Sequence, residues 1–268
     1  MSRLNKSVTL ITSGSSNMLT VKEITAKSIL NKSQIFDYCV NPYTGCQLNC
    51  RYCYARLFMR RYSGHKEAWG DFVDVKVNAP EVLGKQLERA KRGTVWVSSV
   101  CDPYQPLEAT YELTRKCLRA LMRKQFPVNV QTKSKLVLRD LDVFQQFEDI
   151  EVGMTITTDD EKIARMFEPH ASSVKERLNT LEHLHASGIR TFAFAGPLLP
   201  GNPERLAQRF EGIVDKVFID RMNYIGSIKG FYVRQGLEWE MRDEFFEVQK
   251  KTLVAEMKKR KLNVEVLF

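Results

Sequence analysis

Three cysteines within eight residues, Cys46, Cys50 and Cys53, constrain this chain more than any other feature. They stand in the stretch Asn41-Pro42-Tyr43-Thr44-Gly45-Cys46-Gln47-Leu48-Asn49-Cys50-Arg51-Tyr52-Cys53-Tyr54, spaced C-x3-C-x2-C. Thiolate sulfur is a soft donor matched to iron, so closely spaced cysteines in one loop suit an iron–sulfur cluster. Three thiolates ligate three irons of a cubane and leave the fourth open to a cofactor or substrate. Gly45 relieves backbone crowding just before the first cysteine. Tyr52, just before the third, suits a ring packed over the cluster or over a bound adenine.

Zinc is the competing reading. It is normally closed by four ligands, as two C-x2-C-type pairs or a pair plus histidines. Cys39 or His65 could supply a fourth, but neither gives a finger or ribbon spacing, so the cluster is favoured. Six cysteines in 268 residues are too sparse for a disulfide framework. The start Met1-Ser2-Arg3-Leu4-Asn5-Lys6 lacks the apolar core of a secretory signal, and no apolar run approaches a membrane span. A cytoplasmic setting is expected, where an oxygen-sensitive cluster survives, with no membrane partner.

Lys and Arg number 41 against 32 Asp and Glu, a net charge of +9. The excess permits phosphate binding and raises the prior for a DNA or RNA partner, while a basic enzyme merely solvated by its charge is the plainer alternative. Two groups stand out. Arg51, Arg56, Arg60 and Arg61 lie around the cysteine loop, with Arg56 and Arg60 at helical i,i+4 spacing. Lys258-Lys259-Arg260-Lys261 reads as a solvated helix end.

From about residue 34 the pattern alternates strand and helix. Strands are expected at 35–40, 94–98, 128–132, 150–157, 189–195 and 217–220. Helices are expected at 54–61, from Pro80 through Leu83 and Leu87, and at 113–124, 136–147, 174–187 and 206–213. Residues 1–33 read as an arm or short hairpin outside the core, with the polar run Ser13-Gly14-Ser15-Ser16-Asn17, and residues 237–268 as a helical extension. Six alternating units in residues 34–236 imply a parallel α/β sheet.

The C-x3-C-x-aromatic-C pattern resembles that of the radical S-adenosylmethionine superfamily. Asn41-Pro42-Tyr43-Thr44-Gly45-Cys46, Val77-Asn78-Ala79-Pro80, Asp102-Pro103-Tyr104-Gln105-Pro106 and Thr132-Lys133-Ser134 together resemble its spore photoproduct lyase-related branch, often labelled DNA repair photolyase-like. The resemblance runs from about residue 41 to 201. It implies a partial (β/α)6 barrel with an N-terminal arm and C-terminal helix. It also implies a [4Fe–4S] cluster on Cys46, Cys50 and Cys53, and S-adenosylmethionine as the cofactor cleaved to methionine and a 5′-deoxyadenosyl radical. A one-electron donor such as ferredoxin or flavodoxin follows, and lyase action on a nucleic-acid lesion is the favoured chemistry. Radical modification of an RNA, a protein or a small metabolite is the alternative.

Parallel barrels place their chemistry at the C-terminal ends of strands. The polar groups at those ends are Ser99, Cys101 and Asp102, then Lys133, then Thr157. Lys133 suits the carboxylate of S-adenosylmethionine, a lysine and hydroxyl residues at such ends being what the resemblance implies. Ser99, Asp102 or Thr157 suit its amine or ribose, and Tyr52 its adenine. Capping the next helix is the plain alternative for the hydroxyl and aspartate positions. The Gly-Gly-Glu amine-binding signature common in the superfamily is absent. Cys101 is a candidate hydrogen donor, as a strand-end cysteine is in spore photoproduct lyase, and Tyr104 a radical-tolerant phenol. For both, simple packing stays open.

Overall fold

The computed structural model describes residues 7–11 and 18–268; the polar run 13–17 lies outside the described residues. By compactness the chain divides into two units. The first holds the described residues up to Asn49, with Ala55–Thr132 and Arg139–Ile150; the second holds Cys50–Tyr54, Lys133–Leu138 and Glu151–Phe268.

In chain order the first unit contains β1 (Ser7–Ile11), β2 (Met18–Ile24), β3 (Leu30–Lys32), β4 (Tyr38–Val40), β5 (Tyr43–Thr44), α1 (Met59–Ser63), β6 (Phe72–Lys76), α2 (Ala79–Leu87), β7 (Val95–Val97), α3 (Glu108–Tyr111), α4 (Leu113–Arg123), β8 (Val128–Thr132) and α5 (Leu141–Phe144). β1 and β2 form the hairpin expected of the arm. β2 then runs parallel to β6, which takes β5 antiparallel on its other edge. Leu19 and Val21 of β2 thereby join Tyr43, Val73, Val75, Leu107 and Leu113 in one apolar core. A second set of strands, β4, β7 and β8, is parallel, with β3 antiparallel to β4. Along β8 the buried residues are Val128, Val130 and Thr132, the two-residue period of a strand with one covered face. α4 buries Thr114, Cys117, Leu118 and Leu121, the helical counterpart, and packs on α2, which opens with Pro80 in its first turn.

The second unit contains β9 (Ile150–Thr155), α6 (Glu161–Phe167), α7 (Val174–Ala186), β10 (Arg190–Ala195), α8 (Pro203–Phe210), β11 (Lys216–Ile219), α9 (Lys229–Arg234), α10 (Asp243–Lys259) and β12 (Asn263–Val266). β9, β10, β11 and β12 are parallel neighbours in that order. β9 is buried on both faces from Val152 to Thr155. Gly153 there is demanded by packing, since a Cβ would lie 2.2 Å from the Phe192 ring of β10. α7 starts with a capping box, Ser173 and Glu176 each bonding the other's backbone N–H.

The architecture is the expected α/β partial barrel, with the strands of the larger sheet left open among the described residues. β4, β7, β8, β9, β10 and β11 are the six expected strands. Two helical expectations differ. Residues 136–147 form a 3-10 turn, Lys135–Asp140, followed by the single turn of α5, because Arg139 and Asp140 are drawn into a buried polar network. Residues 54–61 break at Phe58 (φ −128°) into a 3-10 turn, Tyr54–Leu57, and α1. Arg56 and Arg60 therefore do not share one continuous helix, and the side chains of Arg60 and Arg61 lie outside the described residues. No described helix is long and apolar enough to cross a membrane.

Candidate active site

In the first unit the cysteine loop is built by mutual bracing of the motifs. Gly45 has φ +89°, and a Cβ there would lie 2.3 Å from the Phe72 carbonyl oxygen, so only glycine lets the loop pass β6. Cys46 follows, buried, and its Sγ accepts from the Asp102 N–H at 3.4 Å. Gln47 N–H donates to Gln105 Oε1 (3.0 Å), and Gln105 Nε2 returns a bond to Gly45 O (3.3 Å). Gln47 Oε1 accepts from Leu107 N–H at 2.8 Å. The 102–106 loop thus grips the segment that presents Cys46.

Asn41 does the same for the end of β7. Its Oδ1 accepts from Ser98 Oγ (2.6 Å), Ser99 N (2.9 Å) and Val100 N (3.1 Å), and its Nδ2 donates to Ser99 Oγ (3.1 Å). Asp102 Oδ1 accepts from Tyr104 N (2.8 Å) and Thr132 Oγ1 (2.6 Å), so it shapes its own loop and ties it to β8. Cys101 is half-buried, with Sγ 3.2 Å from Ser98 Oγ and 3.6 Å from Tyr43 O. Burial pushes its thiol up to about 11, so it keeps its hydrogen at neutral pH. Tyr104 is fully buried and donates to Asp140 Oδ2 at 3.0 Å. The phenol is therefore a member of the network under the loop rather than an exposed group.

The second unit gathers Cys50, Cys53, Tyr52, Lys133 and Thr157. Cys53 N–H donates to Cys50 O at 3.1 Å, closing a tight turn. Cys50 is buried, which pushes its thiol up to about 12. The Tyr52 hydroxyl donates to Glu168 Oε1, as does Thr157 Oγ1 at 3.3 Å. Lys133 Nζ stands 5.7 Å from the centre of the Tyr52 ring. Glu168 pairs with Arg177 at 2.6 Å, both side chains being buried. Burial opposes the Glu168 charge, but Arg177, Lys133 and the Tyr52 hydroxyl outweigh it and hold the carboxyl below its ordinary value.

Glu168 and Arg177 were missed as site residues in the sequence, although one signal was present. Arg177 occupies the same helical stripe as Val174, Leu181 and Leu184, and an arginine on a buried stripe requires a partner. Of the sequence candidates, Tyr52, Lys133 and Thr157 come together around Glu168, and Ser99, Cys101 and Asp102 around Asn41 and Cys46. None of the six cysteines is paired with another, and the described residues hold no ready cage of three His, Cys, Asp or Glu side chains.

A family model described as "Radical SAM superfamily" matches residues 40–210. The chain belongs to the radical SAM superfamily. It is accordingly an enzyme, of a family that uses S-adenosylmethionine and an iron–sulfur cluster. An uncharacterised protein of Methanocaldococcus jannaschii is 38% identical over 180 residues, 66% of this chain and 67% of its own length. A radical SAM Nalpha-GlyT isomerase of Pseudomonas phage M6 is 23% identical over 162 residues, 60% of this chain, which spans only 33% of that protein. Spore photoproduct lyase complexed with a dinucleoside spore photoproduct superposes with a TM-score of 0.68, at 15% identity, over 92% of this chain and 82% of the other. That likeness shows a shared fold.

Proposed function

We propose that Cys46, Cys50 and Cys53 hold a [4Fe–4S] cluster, and that the chain cleaves S-adenosylmethionine there to act on a nucleic-acid lesion in the manner of a photoproduct lyase. The observation that carries the cluster reading is the grip of the 102–106 loop on the cysteine loop. The Asp102 N–H already points at Cys46 Sγ, as backbone donors do toward cluster sulfurs. The donor set fits: three closely spaced thiols, none in a disulfide, with Gly45 seating the loop against β6. When bound, the reduced cluster supplies the electron that splits the cofactor into methionine and a 5′-deoxyadenosyl radical.

The chain's own residues bind and orient. Lys133 offers its ammonium to the cofactor carboxylate beside Tyr52, whose ring Glu168 and Arg177 hold in place. Ser99, Asp102 and Thr157 supply polar groups for the amine and ribose. Cys101 carries a hydrogen ready for return to a substrate radical. Cysteines outside any disulfide and an oxygen-sensitive group favour a cytoplasmic setting, with a ferredoxin- or flavodoxin-like electron donor. The phage relative is named an isomerase, which favours, as second reading, radical modification without cleavage.

Anaerobic reconstitution tests this directly. About four irons per chain and broad visible absorbance are expected, lost on changing Cys46, Cys50 or Cys53 to Ala and kept in Cys39→Ala. With a strong reductant the protein should release 5′-deoxyadenosine slowly. Stoichiometric zinc in active protein would overturn the reading.

A further inference from the structure

We infer that the segment between β11 and α10 is a stacking platform for single-stranded nucleic acid, with Tyr224 as the base-stacking ring and Arg51, Lys229 and Arg234 as phosphate contacts. This rests on the nucleic-acid reading above and gives it a binding surface.

Among the described non-glycine residues with a left-handed backbone, which are Asn49, Glu112, Gln125, Tyr224 and Lys261, Tyr224 is the one aromatic. Its backbone is left-handed (φ 58°, ψ 33°), where a bulky side chain is strained and glycine or asparagine is cheaper. Yet the residue is 64% exposed, so burial offsets little of that strain. Strain kept at an exposed aromatic position points to a ligand. Trp239 and Val233 in the same segment are also exposed, at 47% and 46%.

The segment is anchored rather than frayed. Tyr232 is fully buried, and its ring and that of Phe231 each meet Phe167 edge-on at 5.1 Å. Met222 and Ile228 are buried as well. Asp220, at the end of β11, accepts from Arg221 N (2.8 Å) and Asn223 Nδ2 (3.2 Å), which fixes the exit of the chain toward Tyr224. The C-terminal end of a parallel strand is where such barrels place chemistry.

Position joins the platform to the cysteine loop within one unit. Arg51, between Cys50 and Tyr52, donates its N–H to Phe167 O at 2.8 Å, and its guanidinium stands 5.9 Å from the Phe231 ring. Arg51, Lys229 and Arg234 are exposed, and Arg221 pairs with Asp243. Residues 221–242 carry four cations against two carboxylates, Glu238 and Glu240. Exposed aromatics interleaved with cations are the elements that bind single strands, since every base has a face to stack and every linkage a phosphate. An intact duplex keeps its bases stacked on one another and offers Tyr224 a free face only where a base is flipped out.

The test is fluorescence anisotropy of a labelled ten-nucleotide oligothymidylate with the reconstituted full chain, across a salt series. Wild type should bind it more tightly than a ten-base-pair duplex, with affinity falling as salt rises. Tyr224→Ala should weaken binding about 5- to 100-fold, while Tyr224→Phe stays within about twofold. Tyr224→Gly should lose affinity equally yet raise the melting temperature, because the left-handed strain is relieved; a purely structural ring would lower it. Lys229→Ala and Arg234→Ala should each flatten the slope of log affinity against log salt by about 0.7. Wild-type binding that Tyr224→Ala leaves unchanged overturns the platform and leaves the nucleic-acid reading standing. No wild-type binding overturns both, and release of 5′-deoxyadenosine reports separately on the radical chemistry.

Discussion

The two units each bury a carboxylate network, and the networks are built on opposite plans. In the first, Glu108 and Asp140 are fully buried, but their cations, Arg115 and Arg139, keep side-chain exposures of 14% and 21%. Asp140 has two cations, whereas Glu108 bonds one. Asp140 takes Arg115 Nη1 (2.8 Å), Arg139 Nε (2.8 Å) and the Tyr104 hydroxyl (3.0 Å). Glu108 takes Arg139 Nη2 (2.7 Å), the Thr114 N–H (2.9 Å) and the Tyr43 hydroxyl. In the second, Glu168 has one bonded cation, Arg177, and that side chain is only 1% exposed. Arg177 spends its other donors on the carbonyls of Ser172 (2.7 Å) and Thr155 (2.9 Å). A half-wet, redundant network loses members gradually. A sealed pair does not, because removing one partner strands a charge in low dielectric.

Five measurements break or sharpen that contrast. The largest effect is expected for Arg177→Ala, about 3–5 kcal/mol of stability in a denaturant titration. The joint change Glu168→Leu with Arg177→Met should recover most of it, since no charge is left behind. Arg139→Ala should cost less, about 1.5–3 kcal/mol, because Arg115 and Tyr104 still serve Asp140. Glu108 in turn keeps the N–H groups of Thr114 and Arg115 and the Tyr43 hydroxyl, at a site that water can reach where the half-wet Arg139 stood. Equal losses for the two arginines would erase the distinction. Tyr104→Phe should cost only about 0.5–1.5 kcal/mol, the value of one hydrogen bond among several. The smallest effect is one of pH. Glu168 is held below its ordinary value, 4.5, in the folded state. Its contribution is therefore complete above about pH 4.5 and lost as pH falls through the folded value. The double change at Glu168 and Arg177 should flatten that acid limb of the stability curve.

Some of this was legible in the chain alone. The cysteine spacing, the strand–helix alternation and the strand-end polar residues all depend on local chemistry. A C-x3-C-x2-C loop carries its own donor set, and alternating burial in β8 or the apolar stripe of α4 repeats with the period of its own backbone. These marks survive in any tertiary setting. β2 and β12 were not legible as members of sheets, because pairing partners distant in sequence decide whether a short polar strand is kept.

The site divides along the same line. The sequence named Tyr52, Lys133, Thr157, Ser99 and Asp102, but not what holds them. Asn41 bonding three donors after β7, and Glu168 receiving Tyr52 from 116 positions away, are contacts that only the folded chain creates. The helix expected over 136–147 gave way to a 3-10 turn because Arg139 and Asp140 belong to a buried network, which local propensity does not register. Tyr224 shows the converse. As a letter in a loop it carries no signal, and its left-handed backbone and its exposure are decided only by the folded chain, because backbone dihedrals and burial are properties of the packed segment rather than of the residue type.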